Sequence, residues 1–524
     1  MTLAHGQISP ERWVVAAIMV ALAAPLLAVA GSALGMPLGA GVLVALMVAV
    51  LACAEVAHRL PTALDGLRRK HPVWCGLWLL VALAAVARTA GLAWFMADPE
   101  HAQSSAFWFD EFYIRHNCAS AYWQAAQLAR QGVDNLYDTA HYTGFAGRFK
   151  IDEFMYLPQF LLLPQIGIAL GGDFVTLRAG WFAIEAALVA GAMLALCHWI
   201  GGPAGRRAAL LLPAVWVASP VLVTLQVGNF QLAAIAMSVL AMMLFERDRP
   251  ALGGALLGFA IFKLFPGLLG IYLLATKRWR AAAWTFAFSL LYTVILFVWL
   301  GSKPFDAFLH YQLPRILSGE AWAFLEFDGL EVVNAINTSV PGLVLKLNAL
   351  GFEGMSRGVG GGFAWLWTAV VVAMAVLTAQ RSPAMSRTER AAAWLALLAL
   401  AAFRSPFLPD HNGLFAPLWL WSLVAATTLV STRNVIWLVI GLIALSAVLP
   451  FGSIPAPDVS GVFAISTASQ LIGVGLCLWV ALRRPLGANE LRDTLPDATT
   501  KTTLAPAAVA ASLNPLSISS EADS

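Results

Sequence analysis

Long apolar runs separated by short polar or basic segments make up most of the chain. A helix needs about 20 apolar residues to cross a bilayer, and twelve runs approach that length. They lie near residues 12–32, 36–57, 72–96, 177–199, 208–226, 229–246, 281–300, 362–380, 389–403, 412–431, 433–450 and 462–482. Two more runs, 154–170 and 250–276, are interrupted by prolines and by Lys263, so we expect short paired or re-entrant helices there. The pattern predicts an all-α, polytopic transmembrane protein with about 12–13 spans.

Composition supports a membrane protein and argues against several other classes. Hydrophobic residues make up 60% of the chain and charged residues 12%, whereas a soluble domain is about 25% charged. The net charge of +3 is too small to indicate nucleic-acid binding. The five cysteines form no CxxC pair, and there is no HExxH motif and no nucleotide-binding glycine motif. We therefore expect no metal, cofactor or soluble nucleotide.

Basic clusters indicate which loops face the cytoplasm, where Lys and Arg accumulate. One threading places all of the basic clusters on that side and turns the long loop 97–153 outward, as an outer-surface loop that carries interfacial helices. Residues 1–484 then form one membrane domain of the inner (plasma) membrane. Residues 485–524, rich in Ala, Thr, Pro and Ser, form a tail that we expect to be disordered in the cytoplasm.

The outward face of this threading collects most of the chemistry-bearing side chains. They are Asp110, Glu111, His116, Asp152, Glu153, Asn229, Gln231, His310, Arg315, Glu320, Arg404, Asp410 and His411. Two further charges, Arg88 and Glu185, lie at matching depths inside predicted spans. Because charges inside a membrane are usually paired, we expect these two to form an ion pair.

Five segments, in order, resemble glycosyltransferase family 87, within the GT-C superfold. They are YWQAAQLARQGVDNLYD (122–138), YLPQFLLLP (156–164), QVGNFQLAAIAM (226–237), GGALLGFAIFKLFPGLL (253–269) and FRSPFLPDHNGLFAPLWL (403–420). Where the family has its loop carboxylate, this chain has Asn117 and Cys118, and its acids Asp110 and Glu111 come earlier.

The resemblance implies a membrane hexosyltransferase with its active site on the outer side. It implies transfer of a hexose, mannose above others, from a polyprenyl-phosphate donor to a lipid or glycan acceptor, by a single displacement with inversion. Two alternatives remain open on the sequence alone. One is a polytopic transporter or lipid flippase, although no internal repeat is visible. The other is a lipid-linked glycan polymerase or ligase that uses a pyrophosphate donor.

The candidate catalytic residues follow from this chemistry. A carboxylate must take the proton of the acceptor hydroxyl, and we expect Asp110, with Glu111 as second candidate, to do so. His411, with Asp410, is expected to orient the donor phosphate or to bind the sugar. The competing interpretations are a solvated acid that caps a helix and an ordinary polar turn at the membrane surface.

The candidate substrate-binding residues are those suited to phosphate. Arg404 presents a planar fork to phosphate oxygens, and Asn229 and Gln231 open a helix whose N-terminus favours anions. Lys263 is a costly charge in a broken apolar hairpin, and Tyr156 lies in one of the family-like segments. For the charged residues the competing interpretation is snorkelling towards lipid headgroups.

Overall fold

The computed structural model describes residues 8–326, 331–349, 351–428, 432–450 and 459–485. The predicted disordered tail therefore lies outside the described residues, apart from Pro485. The described part is helical apart from loops and one small hairpin, in which β1 (Phe145–Ala146) pairs antiparallel with β2 (Phe149–Lys150). The all-α polytopic prediction is confirmed.

The first twelve helices run from the N-terminus to the broken hairpin. They are α1 (Pro10–Ala33), α2 (Leu38–Arg59), α3 (Leu67–Lys70), α4 (Pro72–Ala97), α5 (Glu111–Arg115), α6 (Ala119–Arg130), α7 (Leu162–Ala169), α8 (Phe174–Ile200), α9 (Gly202–Trp216), α10 (Ser219–Val227), α11 (Gln231–Glu246) and α12 (Pro250–Ala260). The other twelve are α13 (Leu268–Ala275), α14 (Trp279–Leu300), α15 (Lys303–Ala307), α16 (Leu313–Ser318), α17 (Glu331–Ala335), α18 (Val340–Ala349), α19 (Arg357–Arg381), α20 (Arg387–Ala402), α21 (Asp410–Gly413), α22 (Phe415–Thr427), α23 (Thr432–Ser446) and α24 (Val459–Leu482).

Short helical turns connect several of these elements. The 3-10 turns are Thr62–Leu64, Ala102–Ser104, Thr139–Tyr142, Pro158–Leu161, Ile261–Lys263, Phe265–Gly267, Glu320–Glu326 and Ser382–Ala384, and Phe308–Gln312 is a π-helical turn.

The number of full-length spans is lower than the sequence predicts. Within the described residues, 7 helices are long and apolar enough to cross a membrane, namely α1, α2, α4, α8, α14, α19 and α24. Helices α9 and α10 form a pair bent by 60° that would make an eighth. The other apolar runs fold as shorter helices, such as α11 with 16 residues and α22 with 13. The pattern of 12–13 runs identifies the helices but overstates how many are long enough to span.

The broken hairpin at 250–276 is confirmed and its break has a defined geometry. Helix α12 continues through a 3-10 turn to Lys263, and the next residue, Leu264, has φ 72° and ψ −57°. These angles are close to those of the rare, strained γ-turn with positive φ. The chain restarts at Phe265 and enters α13, so Lys263 sits where the helix is interrupted.

Helix α12 packs unusually close to α14. A Cβ at Gly254 would lie 2.7 Å from the backbone carbonyl carbon of Trp284, and one at Gly258 would lie 2.9 Å from the carbonyl oxygen of Thr285. The two glycines are four residues apart on one helical face, the spacing that lets membrane helices meet backbone to backbone. This contact fixes the helix that carries Lys263.

Loop 97–153 packs against the helices rather than forming a separate domain. Helix α6 has 12 residues, about 18 Å, and is too short to span a bilayer. Its face with Ala119, Tyr122, Ala126 and Ala129 is buried and packs near α7 and α8. This face of α6 therefore packs against protein, and the position of the helix along the membrane surface stays a prediction.

Candidate active site

Lys263 lies at the centre of a polar cluster formed by residues from four separate segments. Its Nζ donates to Tyr156 Oη at 2.6 Å and to Asn229 Oδ1 at 3.0 Å. The same Nζ lies 4.3 Å from the centre of the Tyr156 ring, and Tyr156 Oη is 2.8 Å from Tyr122 Oη. We call Tyr122, Tyr156, Asn229 and Lys263 the Lys263 cluster. Three of its members, Tyr156, Asn229 and Lys263, are among the residues that the sequence nominates for substrate binding.

The backbone between α10 and α11 positions Asn229. Gly228 has φ 66°, and its carbonyl accepts a hydrogen bond from Trp181 Nε1 at 3.0 Å. Asn229 Oδ1 then accepts from the backbone N–H of Gln231 at 3.1 Å, at the first turn of α11. Helix N-termini carry unpaired N–H groups and a partial positive charge, so this turn suits an anion. The Gln231 side chain is buried, and its Nε2 has no partner among the described residues.

Glu185 on α8 lies near the Lys263 cluster. Its Oε1 accepts from the backbone N–H of Ala233 at 3.1 Å, and it interacts electrostatically with Lys263. The predicted ion pair between Arg88 and Glu185 is wrong. Arg88 donates instead to the carbonyls of Val217 and Ala106, at 2.5 and 3.0 Å. The Val217 carbonyl is left without a helical partner at the bend between α9 and α10, and Arg88 donates to it. The equal depths of Arg88 and Glu185 in the membrane therefore did not predict the partner of Arg88.

His116 forms a hydrogen-bonded chain beside this cluster. Its Nδ1 lies 3.2 Å from Asp152 Oδ1, and its Nε2 lies 3.8 Å from Cys118 Sγ. Asn229 Nδ2 donates to the same sulfur at 3.4 Å, which links the two groups. We call Asp152, His116 and Cys118 the His116 chain. Burial opposes the charged imidazolium, but Asp152 and Cys118 outweigh it and raise the pKa of His116 to about 10.

A second group surrounds Tyr113, and it is more deeply buried. Tyr113 Oη lies 3.4 Å from His411 Nδ1, and their rings meet edge to face. Asp410 Oδ1 accepts from the backbone N–H of His411 at 2.7 Å, and its Oδ2 accepts from that of Leu449 at 2.9 Å. Asp110 Oδ1 accepts from the Phe112 N–H at 2.9 Å and begins α5. We call Asp110, Tyr113, Asp410 and His411 the Tyr113 cluster.

In the Tyr113 cluster, burial and the nearby carboxylates favour the neutral forms of the Tyr113 and His411 side chains. Burial first, and then the carboxylates of Asp410 and Asp110, raise the pKa of Tyr113 well above its ordinary value. Burial lowers the pKa of His411, an effect that Asp410 opposes and that the charge of His116 assists. The Phe112 ring, next to Tyr113 in the chain, stacks on the His116 ring at 4.3 Å, so the Tyr113 cluster and the His116 chain are neighbours. At neutral pH we expect His411 to be uncharged and His116 charged.

Two other nominated residues lie apart from these groups. The Glu111 side chain is 74% exposed, and its carboxylate is 2.9 Å from Arg115 Nε. Arg404 donates from Nε to Thr368 Oγ1 at 3.0 Å and stands over the Trp365 ring. The structure therefore brings together Asp110, Asp410 and His411 in one cluster and Tyr156, Asn229 and Lys263 in the other. Glu111 and Arg404 contact different partners.

Comparison with known proteins identifies the family. Residues 154–409 match the model described as Glycosyltransferase family 87. This region belongs to glycosyltransferase family 87. No curated protein and no solved structure gives a significant match to the chain. The resemblance drawn from the five segments is confirmed, and the chain is a membrane glycosyltransferase with a sugar donor and an acceptor.

The family 87 region contains only part of the site. Tyr156, Asn229, Lys263 and Arg404 lie inside the matched residues. Loop 97–153, with Asp110 and all three members of the His116 chain, precedes them, while Asp410 and His411 follow directly. The part that suits a donor phosphate is therefore inside the family 87 match, and most of the candidate proton-transfer groups are outside it.

Several polar side chains of the site were not nominated from the sequence. Gln226 donates from Nε2 to the backbone carbonyl of Tyr113 at 2.7 Å. The backbone carbonyl of Gln226 accepts from Asn117 Nδ2 at 2.8 Å. Lys346 is buried, donates to Ser466 Oγ at 2.9 Å and interacts with Asp410. Burial lowers the pKa of Lys346 to about 7, against the opposing effect of Asp410. A lysine in the apolar run 336–350 was the visible signal.

The His116 chain also contains the residue types that bind transition metals. One ligand atom from each of His116, Cys118 and Asp152 lies within 4.8 Å of the others, so the three could hold a metal ion. However, the two imidazole nitrogens face different partners. Without an ion, the three side chains form a hydrogen-bonded chain that runs from Asp152 through the His116 ring to Cys118.

Proposed function

We propose that this protein transfers a hexose, with mannose as the expected sugar, from a polyprenyl-phosphate donor to a lipid or glycan acceptor. In this proposal the reaction takes place on the outward face of the inner membrane, and the basic helix ends lie in the cytoplasm. The observation that carries the proposal is the position of Lys263. Its ammonium group is held by two neutral oxygens, of Tyr156 and Asn229, beside the N-terminus of α11. An ammonium, an amide and a helix N-terminus together suit a phosphate.

The reaction that fits this arrangement is a single displacement. The acceptor oxygen attacks the anomeric carbon, and the bond between that carbon and the phosphate oxygen breaks. The leaving group is polyprenyl phosphate, whose developing negative charge is stabilised by Lys263 and the N-terminus of α11. The acceptor proton passes to a carboxylate of the enzyme. Attack opposite the leaving group inverts the anomeric configuration.

We assign the role of general base to Asp110. It shares the Tyr113 cluster with Asp410 and His411, and its neighbour Glu111 faces away from that cluster. His411, neutral and in contact with Tyr113, is suited to hydrogen-bonding the sugar. Asp152 is the competing base, because its side chain is 19% exposed while Asp110 is fully buried. Substitutions of the two carboxylates decide between them.

The test is a transfer assay with purified full-length protein in detergent. Three donors are compared: polyprenyl-phosphate mannose, a polyprenyl-pyrophosphate sugar and a nucleotide sugar. We expect transfer from the first donor only, with an inverted anomeric centre in the product by nuclear magnetic resonance. Transfer only from the pyrophosphate donor would identify a polymerase or ligase, and transfer only from the nucleotide sugar would rule out a lipid donor. EDTA should leave the rate unchanged, because no step in the proposal uses a metal ion.

A further inference from the structure

An arginine-lined cavity lies at the helix ends opposite the candidate active site. It has a volume of about 450 Å³ and is lined by His198, Trp199, Glu246, Arg247, Arg387 and Arg390. Helix α11 begins at the active site with Gln231 and ends at this cavity with Glu246, about 22 Å away along its axis. Helix α8 likewise reaches the cavity with His198 and Trp199, while its Glu185 contacts the first turns of α11. The cavity is therefore separate from the site described above.

The cavity carries an excess of positive charge. Its single carboxylate, Glu246, is already bound by Arg390, inside the cavity, and by Arg278 next to it. Arg387 donates to the Trp199 carbonyl at 3.1 Å, which leaves its charge uncompensated. Arg247 is exposed and has no side-chain partner among the described residues. Three guanidinium groups against one neutralised carboxylate favour an anion, and guanidinium forks match phosphate oxygens.

The surroundings of the cavity favour a lipid over a free anion. His198 lies near the end of α8, one of the seven full-length candidate spans, and Leu194, one turn before it, is 43% exposed. Residues four apart share a helical face, so the face of α8 that reaches the cavity is apolar and uncovered. Acyl chains can follow this face while the headgroup enters the cavity. The volume is also within the range of small-molecule sites.

We propose that this cavity binds the phosphate headgroup of an anionic membrane phospholipid. The arginines contact the phosphate, and the acyl chains lie along the exposed face of α8. The cavity lies at the C-terminal end of α11, the helix that begins at the candidate active site. The inference does not depend on the identity of the sugar or of its donor.

The experiment uses the full-length protein in nanodiscs of phosphatidylglycerol or of phosphatidylcholine. The variants are Arg247→Gln, whose side chain has no structural partner among the described residues, and Arg247→Gln combined with Arg387→Gln. The matched control is Arg280→Gln, which removes an exposed arginine at the same membrane end. Thermal unfolding and lipid retention by native mass spectrometry are measured for each, and sugar transfer reports that the variants are folded.

We expect phosphatidylglycerol, but not phosphatidylcholine, to raise the melting temperature of the wild type and of Arg280→Gln, since a ligand of the native state stabilises it. The gain and the retained lipid should be reduced in Arg247→Gln and lost in the double variant. Equal stabilisation by the two lipids, or an undiminished gain in both cavity variants, would overturn the proposal. Inorganic phosphate is added separately to protein in phosphatidylcholine. If it reproduces the whole gain, the ligand is free phosphate and the lipid assignment is wrong.

Discussion

Asp110 and Glu111 are neighbours in the chain, yet they face opposite environments. The Asp110 side chain is fully buried beside Tyr113 and caps the first turn of α5, whereas Glu111 is exposed and pairs with Arg115. Asp110 precedes α5 with an extended backbone and turns its carboxylate to the Phe112 N–H, whereas Glu111 is the first helical residue and points to solvent. This difference separates their expected roles.

Asp110→Asn should abolish most of the turnover while the protein stays folded. Asparagine caps helices as well as aspartate does, so α5 should be retained. The loss of a general base lowers the rate by roughly 10²–10⁴-fold. The measurement is kcat and KM for the lipid donor, with KM expected to change little. Glu111→Gln is the control and should stay within about twofold of the wild type, as is usual for exposed pairs. A normal kcat in Asp110→Asn with a large loss in Asp152→Asn would move the base to Asp152.

Lys263→Met should weaken donor binding. A hydrogen bond to a charged group contributes about 1.5–3 kcal/mol, which corresponds to roughly a 10- to 150-fold rise in the donor dissociation constant. Binding of a non-hydrolysable polyprenyl-phosphonate sugar measures this directly. Lys303→Met, which removes a half-exposed lysine paired with Asp134, is the matched control. If both variants bind the analogue as the wild type does, the phosphate does not contact Lys263.

The His116 chain should make the folded protein less stable as the pH becomes alkaline. The pKa of His116 is raised to about 10 in the folded protein, against about 6.5 in an unfolded chain. The folded state therefore binds the proton more tightly, so this contribution is complete below about pH 6.5 and is lost as the pH rises through about 10. Thermal unfolding between pH 7 and 10 should show a steeper fall for the wild type than for His116→Gln. Identical slopes for the wild type, His116→Gln and Asp152→Asn would contradict the charged pair.

Gly254→Ala or Gly258→Ala should disturb both stability and donor binding. The added Cβ would meet the backbone of α14 at 2.7 or 2.9 Å, and overpacking of this kind costs about 1–3 kcal/mol. The displaced α12 carries Lys263, so KM for the donor should rise as well. Gly270→Ala on α13 is the control, because no heavy atom lies within 4 Å of its Cβ. An undisturbed melting temperature in both test variants would show that the α12–α14 contact can relax.

The sequence predicts the helices well because apolar runs and their breaks are local properties. It also nominates Tyr156, Asn229 and Lys263, which the structure brings into hydrogen-bonding contact. It does not predict that Arg88 turns towards carbonyl groups, because depth along a helix says nothing about the direction around it. The same limit explains why Glu111 stays a second candidate beside Asp110 when only the sequence is considered. The pairing of His116 with Asp152 depends on a loop that has no hydrophobic periodicity to orient its side chains.

Glu185 has a consequence for the order in which the protein is made. Helix α8 leaves the ribosome with this carboxylate near its middle, and the backbone N–H that receives it belongs to a residue 48 positions later. Acidic residues at the centre of a helix cost about 2.5–3.5 kcal/mol on insertion, although the rest of α8 is apolar enough to offset this. During synthesis, α8 is therefore made before the partner of Glu185, which has no hydrogen bond from Ala233 until α11 has been synthesised. The acid gains its hydrogen bond when α11 packs against α8, so a ribosome stalled before α11 should leave a nascent chain in which Glu185 lacks this partner.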